Sequence, residues 1–519
     1  MKKKLLPALI VTGLIILVVI IMGITALINK YTPTKKTEDL KEYFNISSDD
    51  EAALIVDNEL SDYKAKIIDK KIYVDYKFVH DSLNSRFYWD ANENVLLYTT
   101  ASDIISAAAD SNSYSVTKQT NDFGYPIVKA TSDSALIALD YVKQYSNITF
   151  KSYDDPARIV ITSKWDEIDS ATVSKSTQIR VKGGIKSPIL KEVKKDDKIT
   201  ILDSGDKWDK VATEDGVIGY IKRKALSESK KTKLTNPDYE EETFTHIKKD
   251  KDICLAWNQV TSQSANSKVP QVISSTKGIN VMSPTWFYLN DNNGNLADIA
   301  SKDYVSYCHS QGIEVWGLFS NFENTDVDAA YVLTHTSTRT TLINQIMSAA
   351  FNYELDGVNI DFENITEAAY GDSYIEFIRE LSIKCHNNGI SLSVDVTVPA
   401  SFNKFFNRSD MANFADYIVI MGYDEHYKGS DAGSVSSIPW VTEGVESTLK
   451  EVPADQIILG MPFYTRIWEL TPKEDDDAVT DTEDQSKYTV SSQVYSMDAA
   501  AAQLATNNAT AALDEKSGQ

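Results

Sequence analysis

Apolar and polar positions along the chain change their periodicity several times, and each change predicts a new structural element. The first element is an uninterrupted apolar run over residues 5–28. Because about 20 residues, at about 1.5 Å each, cross the hydrocarbon core of a bilayer, this run predicts a membrane-spanning helix. It is longer than the roughly 7–15 apolar residues of a cleavable signal peptide. Residues 1–30 are therefore predicted to be a transmembrane anchor.

Charge in front of this run predicts its orientation. Lys2, Lys3 and Lys4 precede the run, and lysines next to a spanning segment favour the cytoplasmic side. The N-terminus is thus predicted to be cytoplasmic, and everything after Lys30 is predicted to lie outside the cell membrane. Residues 31–50 are polar and short of large aliphatic side chains, so they are predicted to be a linker.

Residues 51–165 carry a weak internal duplication. Residues 86–100 and 148–163 each show an aromatic strand, a tight turn with aspartate and an aliphatic strand. A helical run precedes the second hairpin, so the range is predicted to be a duplicated α+β domain. This duplication resembles the N-terminal domain of copper amine oxidases. The range holds no histidine cluster, so the resemblance implies no copper.

Short strand patterns separated by Gly, Asp or Lys turns follow over residues 167–228. The stretch around Trp208 and Tyr220 resembles a small bacterial SH3-like β-barrel, a module that is frequently attached to cell-wall enzymes. Both aromatic side chains also fit a spacer domain in which they lie in the core or in a turn. Residues 229–245, which are rich in charge and turn formers, are predicted to be a second linker.

Over residues 246–519, strands that are apolar on both faces alternate with amphipathic helices. Seven such strands can be recognised, and this pattern is typical of a parallel sheet. The alternation predicts a C-terminal (β/α)8 TIM barrel, whose chemistry lies at the carboxyl ends of the strands. After Trp468 the sequence becomes acidic and shows no convincing eighth strand. The barrel is therefore expected to be truncated before strand 8.

Composition restricts the function. A chain of 519 residues exceeds what one hydrophobic core usually organises, so a multidomain protein is expected. The net charge of −23 argues against nucleic acid as a partner, because phosphate binding uses cationic side chains. The three cysteines are far apart without CxxC spacing, and no nucleotide-binding loop is present. The sequence therefore predicts no metal site and no cofactor.

The strongest chemical signal is the segment LDGVNIDFEN at residues 355–364. In a strand, Asn359, Asp361 and Glu363 share one face, and the apolar residues between them share the other. The polar groups are predicted to point into the barrel, with Glu363 last, at the catalytic rim. Two carboxylates this close raise the pKa of one of them, and a carboxyl that keeps its proton near neutral pH can act as a general acid.

The segment DGVNIDFE resembles the signature of glycoside hydrolase family 18, in which three spaced aspartates precede a glutamate at the end of the fourth barrel strand. Asp356 matches the first aspartate, Asp361 the third and Glu363 the proton donor. Asn359 stands where the family has its middle aspartate, a form similar to the spore-cortex and cell-wall branch. The resemblance implies catalytic roles for Glu363 and Asp361, and substrate contacts for Asn359 and Asp356.

Two later segments are similar to further motifs of the family. The segment MGYDEHY implies that Tyr423 and Asp424 contact the N-acetyl group, and GMPFYTRIW implies substrate contacts for Tyr464 and Arg466. Among the aromatic residues at predicted strand ends, which could stack on sugar rings or lie in the core, Trp286 is taken as a substrate contact. The others are Trp257, Trp316 and Trp468.

Family 18 departs from the usual scheme of two catalytic carboxylates. The resemblance implies that the 2-acetamido oxygen of the sugar attacks the anomeric carbon while Asp361 orients that group. Glu363 would protonate the leaving oxygen and later act as base for water. The predicted reaction is retaining hydrolysis of β-1,4 bonds next to N-acetylglucosamine in peptidoglycan. A chitinase or endo-β-N-acetylglucosaminidase is an alternative, and a non-catalytic glycan-binding surface protein is another.

Overall fold

The computed structural model describes residues 5–363, 365, 368–473 and 485–518. Lys2, Lys3 and Lys4, on which the predicted membrane orientation depends, lie outside the described residues. The chain forms two compact units. The N-terminal unit comprises the chain up to Ser85, Ala109–Asn112 and Gly124–Glu241. The C-terminal unit comprises Arg86–Ala108, Ser113–Phe123 and the chain from Glu242 onward.

The apolar run at the start of the chain forms one helix, α1 (Leu5–Tyr31). Its segment Leu9–Tyr31 has a mean hydropathy of 2.9 and none of it is buried. By length and composition this helix can cross a membrane, a test that a signal sequence near the N-terminus also passes.

The predicted linker at residues 31–50 contains a short helix that packs into the N-terminal unit. Phe44, directly after this helix, is fully buried in a cluster with Ile55, Ile179 and Val211. The predicted linker is therefore part of the folded N-terminal unit. Its few aromatic and aliphatic residues are concentrated around this helix, and Phe44 packs into the core. In chain order, the elements up to residue 162 are α2 (Leu40–Tyr43), β1 (Glu51–Val56), β2 (Glu59–Ile68), β3 (Lys71–Asp75), α3 (Tyr76–Ser82), β4 (Phe87–Asp90), β5 (Val95–Thr99), β6 (Ile104–Ala108), β7 (Ser113–Val116), β8 (Gln119–Asp122), β9 (Val128–Ala130), β10 (Ala135–Ala138), α4 (Leu139–Tyr145), β11 (Thr149–Tyr153) and β12 (Arg158–Thr162).

Both hairpins of the internal duplication are present, as β4–β5 and β11–β12. They belong to different sheets. Strands β11 and β12 join a seven-stranded sheet of the N-terminal unit in the order β11-β12-β1-β2-β3-β10-β9. Strands β4 to β8 form a separate antiparallel sheet, which belongs to the C-terminal unit. The range 51–165 is thus shared between two units, because side chains of β4 and β5 bond to helices that follow much later in the chain.

A second seven-stranded sheet of the N-terminal unit is antiparallel throughout, in the order β15-β14-β18-β17-β16-β13-β19. Its last strand lies in the predicted second linker and pairs with β13, where Ser170 is opposite Lys230. The strands are β13 (Glu167–Thr172), β14 (Thr177–Arg180), β15 (Ile189–Val193), β16 (Lys198–Asp203), β17 (Trp208–Thr213), β18 (Ile218–Lys222) and β19 (Lys230–Lys233).

The C-terminal unit contains all seven strands predicted for a barrel, in the parallel order β20-β21-β23-β24-β25-β26-β27. In the described part of the chain, β20 and β27 are the two ends of this path. The elements are β20 (Leu255–Asn258), α5 (Val269–Ser274), β21 (Val281–Leu289), β22 (Leu296–Asp298), α6 (Lys302–Ser310), β23 (Glu314–Ser320), α7 (Ala329–Thr334), α8 (Thr336–Tyr353), β24 (Gly357–Asp361), α9 (Ala368–His386), β25 (Ser391–Thr397), α10 (Arg408–Phe414), β26 (Tyr417–Met421), α11 (Ile438–Thr448), β27 (Ile457–Gly460), β28 (Tyr464–Pro472), β29 (Tyr488–Ser496) and α12 (Met497–Thr506).

The segment predicted as one seventh strand is divided into two. Its first part is β27 of the parallel sheet, and its second part is β28, which forms a two-stranded sheet with β29. Tyr464 and Arg466 therefore lie on this hairpin rather than on a barrel strand.

Near the amino ends of the parallel strands, a separate apolar cluster is formed by Val281, Trp316 and Tyr417. Trp316 is fully buried, and its ring is 5.6 Å from that of Tyr417. A Cβ atom at Gly357 would come within 2.5 Å of the Trp316 ring, so only glycine fits beside it. This apolar cluster occupies the amino ends of the parallel strands. The polar side chains of β24 lie toward the carboxyl ends.

Candidate active site

Strand β24 presents its polar residues as the alternation predicts. Val358, Ile360 and Phe362 are at most 1% exposed and belong to the core shared with the helices. The residues between them face the other side of the sheet. Asp361 ends the strand, and Glu363 follows it at the carboxyl edge, where its side chain is exposed.

Asn359 is the fully buried centre of a hydrogen-bond network. Its Oδ1 accepts from Trp257 Nε1 at 3.0 Å and from Ser283 Oγ at 2.9 Å. Its Nδ2 donates to Asp395 Oδ1 at 2.7 Å. Because an indole nitrogen can only donate, this network fixes the orientation of the amide. The buried amide of Asn359 thus joins Trp257, Ser283 and Asp395 through hydrogen bonds and holds these side chains in place.

Asp361 lies in an environment that favours the protonated form of its carboxyl. Burial raises the pKa of Asp361 to about 8, and the negative charges of Glu363 and Glu323 act in the same direction. Its Oδ1 is buried without a hydrogen-bond partner among the described residues. A buried oxygen of this kind is costly unless a proton or a ligand satisfies it.

Glu363 is positioned through its backbone, whose N–H donates to Asn321 Oδ1 at 3.0 Å. Partial burial raises the pKa of the Glu363 carboxyl, and the charges of Asp424 and Glu323 raise it further. The pKa of Glu363 is thus shifted in the direction that a general acid requires.

Two acidic residues that the sequence analysis did not single out also belong to the site. Asp395, on β25, is 2% exposed and accepts the hydrogen bond from Asn359. Glu323 follows β23, accepts from Ser320 Oγ at 2.7 Å, and contributes charge to Asp361 and Glu363. A signal for Asp395 is present in the sequence, because it is the one charged residue of the apolar strand SLSVDVT.

The residues of the two later motifs also lie at this edge. Arg466 Nη2 donates to Asp424 Oδ1 at 3.2 Å, and Tyr464 hydrogen-bonds the same carboxylate. The Tyr423 ring contacts the rings of Trp257 and Tyr464 edge-on, at 6.2 and 6.1 Å. Burial and the charges of Asp395 and Asp361 raise the pKa of Tyr423, so its hydroxyl remains a hydrogen-bond donor.

Two of the predicted site residues are not part of this arrangement, and those assignments are corrected. Asp356 precedes β24 at its amino end, about 16 Å along the strand from Asp361. Its Oδ2 accepts from the backbone of Val315 and pairs with His309 Nε2, both at 2.8 Å. Its role is therefore to join loops at the opposite end of the sheet.

Trp286 is a core residue. It is fully buried, and its Nε1 donates to Asn266 Oδ1 at 2.8 Å. Its ring is 4.8 Å from that of Tyr304. The prediction depended on its position near a strand end, and that position does not decide which side of the sheet the side chain occupies; next to Trp286 the register of β21 against β23 also shifts, between Thr285 and Phe287.

Of the other predicted aromatic residues, Trp257 lies in the site. A Cβ atom at Gly460 would come within 2.8 Å of its ring, so glycine at the end of β27 permits the approach. Trp316 lies in the apolar cluster near the amino ends of the strands. Trp468 is on β28, and its Nε1 donates to the carbonyl of Gly433 at 2.9 Å.

A pocket of about 180 Å³ opens beside Glu363. It is lined by Phe362, Glu363, Ile365, Asp395, Val396, Thr397, Phe402, Asn403, Phe405, Phe406 and Met421. Within the described ranges, no group of three or more His, Cys, Asp or Glu side chains is arranged to hold a metal ion.

Comparison with known proteins gives a family match for the part of the chain that carries this site. Residues 312–519 match the model of glycosyl hydrolases family 18. The uncharacterized glycosylase YvbX of Bacillus subtilis is 25% identical over 194 residues, which cover 35% of this chain and 55% of that protein. The cortical fragment-lytic enzyme of the same organism is 26% identical over 187 residues, 34% of this chain and 43% of the enzyme.

The chain thus spans about half the length of these curated relatives. Among solved structures, the Bacillus cereus spore cortex-lytic enzyme SleL is 18% identical to this chain. The similarity covers 51% of this chain and 60% of that one, with a TM-score of 0.43.

Proposed function

We propose that this chain, whose residues 312–519 match the model of glycosyl hydrolases family 18, hydrolyses β-1,4 glycosidic bonds next to N-acetylglucosamine in cell-wall peptidoglycan. The observation that carries the proposal is the pair Asp361 and Glu363. Both carboxyls have a raised pKa, and both lie at the carboxyl edge of one parallel strand. Catalysis in a parallel barrel takes place at this edge.

The proposed mechanism is substrate-assisted. The 2-acetamido oxygen of the bound sugar attacks the anomeric carbon while Glu363 donates its proton to the departing glycosidic oxygen. Asp361 accepts a hydrogen bond from the acetamido N–H and stabilises the positive charge that develops on this group. Glu363 then removes a proton from the attacking water. The configuration at the anomeric carbon is retained, because two displacements follow one another.

The remaining side chains are proposed to position the sugar. Tyr423 keeps its proton and can donate to the acetamido oxygen. Asp424, Arg466 and Tyr464 are joined by hydrogen bonds and form a polar group near Glu363, suited to hydroxyls of the glycan. Trp257 offers an apolar ring against which a sugar face can pack.

Peptidoglycan is favoured over chitin by three features. One curated relative is named a cortical fragment-lytic enzyme. Helix α1 is proposed to be an uncleaved anchor in the cell membrane, with the N-terminus cytoplasmic and the two units outside. The range 51–165, although divided between the two units, is proposed to be related to the N-terminal domain of copper amine oxidases, and the range 167–228 to bacterial SH3 domains; both would hold the enzyme near the wall.

The experiment compares the full chain in detergent with its Glu363→Gln variant on purified peptidoglycan and on chitin oligomers, with mass spectrometry of the products. New reducing-end N-acetylglucosamine is expected from peptidoglycan, and Glu363→Gln should lower the rate by at least about 10³-fold. Glu446→Gln, an exposed change on α11, is the matched control and should keep the wild-type rate.

De-N-acetylated glycan tests the mechanism separately. A substrate-assisted enzyme requires the acetamido oxygen, so no cleavage is expected where the 2-amino group is free. Equal cleavage of both forms would contradict the mechanism. Cleavage of chitin alone would assign the substrate to chitin, and bound but uncleaved glycan with the wild-type protein would indicate a binding protein.

A further inference from the structure

The position next to Asp361 in the polar layer of the sheet is held by Asn359, which cannot exchange a proton. Its amide is already oriented by two donors, Trp257 and Ser283, so that Nδ2 faces Asp395. A carboxylic acid in the same place could take up or release a proton beside Asp361. In this chain, a buried acid, Asp395, is present instead on the neighbouring strand.

Strand register brings Asp395 beside Asp361. Strands β24 and β25 pair in parallel with Ile360 opposite Val394, so the next residues along each strand are Asp361 and Asp395. Neighbouring strands lie about 4.8 Å apart. Two carboxyl groups are therefore adjacent in the polar layer at the carboxyl edge of the sheet.

Each of these two carboxyls has one oxygen without a hydrogen-bond partner in the described part of the chain. These atoms are Asp361 Oδ1 and Asp395 Oδ2, and both are buried. The other oxygen of Asp395 accepts from Asn359 at 2.7 Å, which leaves Oδ2 as the place for a proton. Two neighbouring buried carboxylates without a cation beside them cannot both be charged at low cost.

We propose that Asp361 and Asp395 share one proton, and that Asp395 is the positioning residue that accepts this proton when Asp361 binds the acetamido group. In this step the O–H bond of Asp361 breaks and an O–H bond forms at Asp395 Oδ2. The pair carries one negative charge before and after, so no other group has to supply a proton. The inference rests on the proposed function, because it assigns the proton that Asp361 must release.

Electrostatics agree with this assignment. Burial and the charge of Asp361 raise the pKa of Asp395 well above its ordinary value, against the hydrogen bond from Asn359, which lowers it. The like charges around the pair come from Glu363 and Glu323. Among the described residues, no Lys, Arg or His forms an ion pair with either aspartate.

The test exchanges the acid between the two strands. Asp395→Asn should lower kcat/KM by about 10²-fold, a typical contribution of a positioned proton-transfer group, and shift its pH profile. The double variant Asn359→Asp with Asp395→Asn restores an acid next to Asp361 and should recover the rate to within about tenfold of wild type. Asp303→Asn, exposed at the start of α6, is the control and should change neither value.

A second measurement does not depend on activity or on the variants being stable. Carbon-13 resonances of the Asp361 and Asp395 carboxyls should titrate together, with one proton on the pair at pH 7. Independent titration of the two carboxyls would overturn the inference. In the kinetic test, a wild-type pH profile in a folded Asp395→Asn variant would also overturn it. Wild-type protein that cleaves no glycan but shows the joint titration would refute the proposed function and leave the shared proton standing.

Discussion

Two groups of buried acids in the C-terminal unit differ in how their charge is balanced. The paired cluster consists of Arg339, Glu376, Arg379, Glu380 and Asp410 on helices α8, α9 and α10. Here Arg339 binds Glu380 at 2.9 and 3.0 Å, and Arg379 binds Glu376 at 2.9 Å and also Asp410. Among the described residues, no such cation pairs with Asp361 or Asp395, the acids of the site.

The difference separates a structural role from a chemical one. In the paired cluster every carboxylate has a guanidinium beside it, which offsets the cost of burying its charge, although burial still raises the pKa of Glu380 to about 7. The cluster also binds the five-stranded sheet, since Thr99 Oγ1 donates to Glu376 at 2.7 Å and the Tyr88 ring is 5.1 Å from the Arg339 guanidinium. In the site, uncompensated burial keeps protons on the acids and makes proton transfer possible.

The largest expected effect is on stability, from breaking the paired cluster. Arg379→Met leaves Glu376 and Asp410 buried without their cation, which should lower the free energy of unfolding by about 3–5 kcal/mol. Urea unfolding followed by tryptophan fluorescence measures the change. Lys302→Met, which removes an exposed charge from the same unit, should change it by less than about 0.5 kcal/mol. An equally small effect of Arg379→Met would mean that these acids are not charged.

Removing an acid from the site should act on catalysis instead. Asp361→Asn should reduce kcat/KM by about 10²–10³-fold, or about 2.7–4 kcal/mol, because the acetamido group loses a charged partner in the transition state. Steady-state kinetics on the glycan measures this loss. Asp356→Asn, at the other end of the same strand, should leave kcat/KM within about threefold of wild type. A similar loss in both variants would return Asp356 to the site.

The same substitution should make the folded protein more stable at high pH. The pKa of Asp361 is raised to about 8, so the folded chain keeps a proton that the unfolded chain releases near pH 4. Unfolding therefore becomes more favourable as pH rises from about 4 to about 8. Asp361→Asn should stabilise the protein by about 1–3 kcal/mol at pH 8 and have little effect at pH 4. Melting curves at the two pH values show whether the gain depends on pH.

The smallest expected effect tests the contact between the five-stranded sheet and the paired cluster. Thr99→Val removes the hydroxyl that donates to Glu376, and the stability should fall by about 1–2 kcal/mol with an unchanged kcat/KM. Thr120→Val, at an exposed position of β8 in the same sheet, provides the baseline. If both variants melt alike, the bond from Thr99 contributes nothing to the stability of this unit.

The local pattern of apolar and polar residues was enough to predict the strands of the parallel sheet and the main acids of the candidate site. The seven parallel strands, both hairpins and the polar face of β24 follow from the alternation of side chains along a pleated strand, which the sequence displays directly. Glu363 and Asp361 could be recognised because the motif that carries them is contiguous. The residues of the two later motifs were recognised in the same way, and they lie near Glu363.

What required the tertiary structure is which strand lies beside which, and where an irregularity interrupts the pleat. The register of β25 against β24 places Asp395 beside Asp361, and packing in the core, with a hydrogen bond to Asn266, removes Trp286 from the site. The sheet β4–β8 belongs with the barrel helices because Tyr88 and Thr99 bond to α9, almost 300 residues later. Periodicity within a strand is a local property of the backbone, whereas neighbours across strands are set by packing of the whole unit.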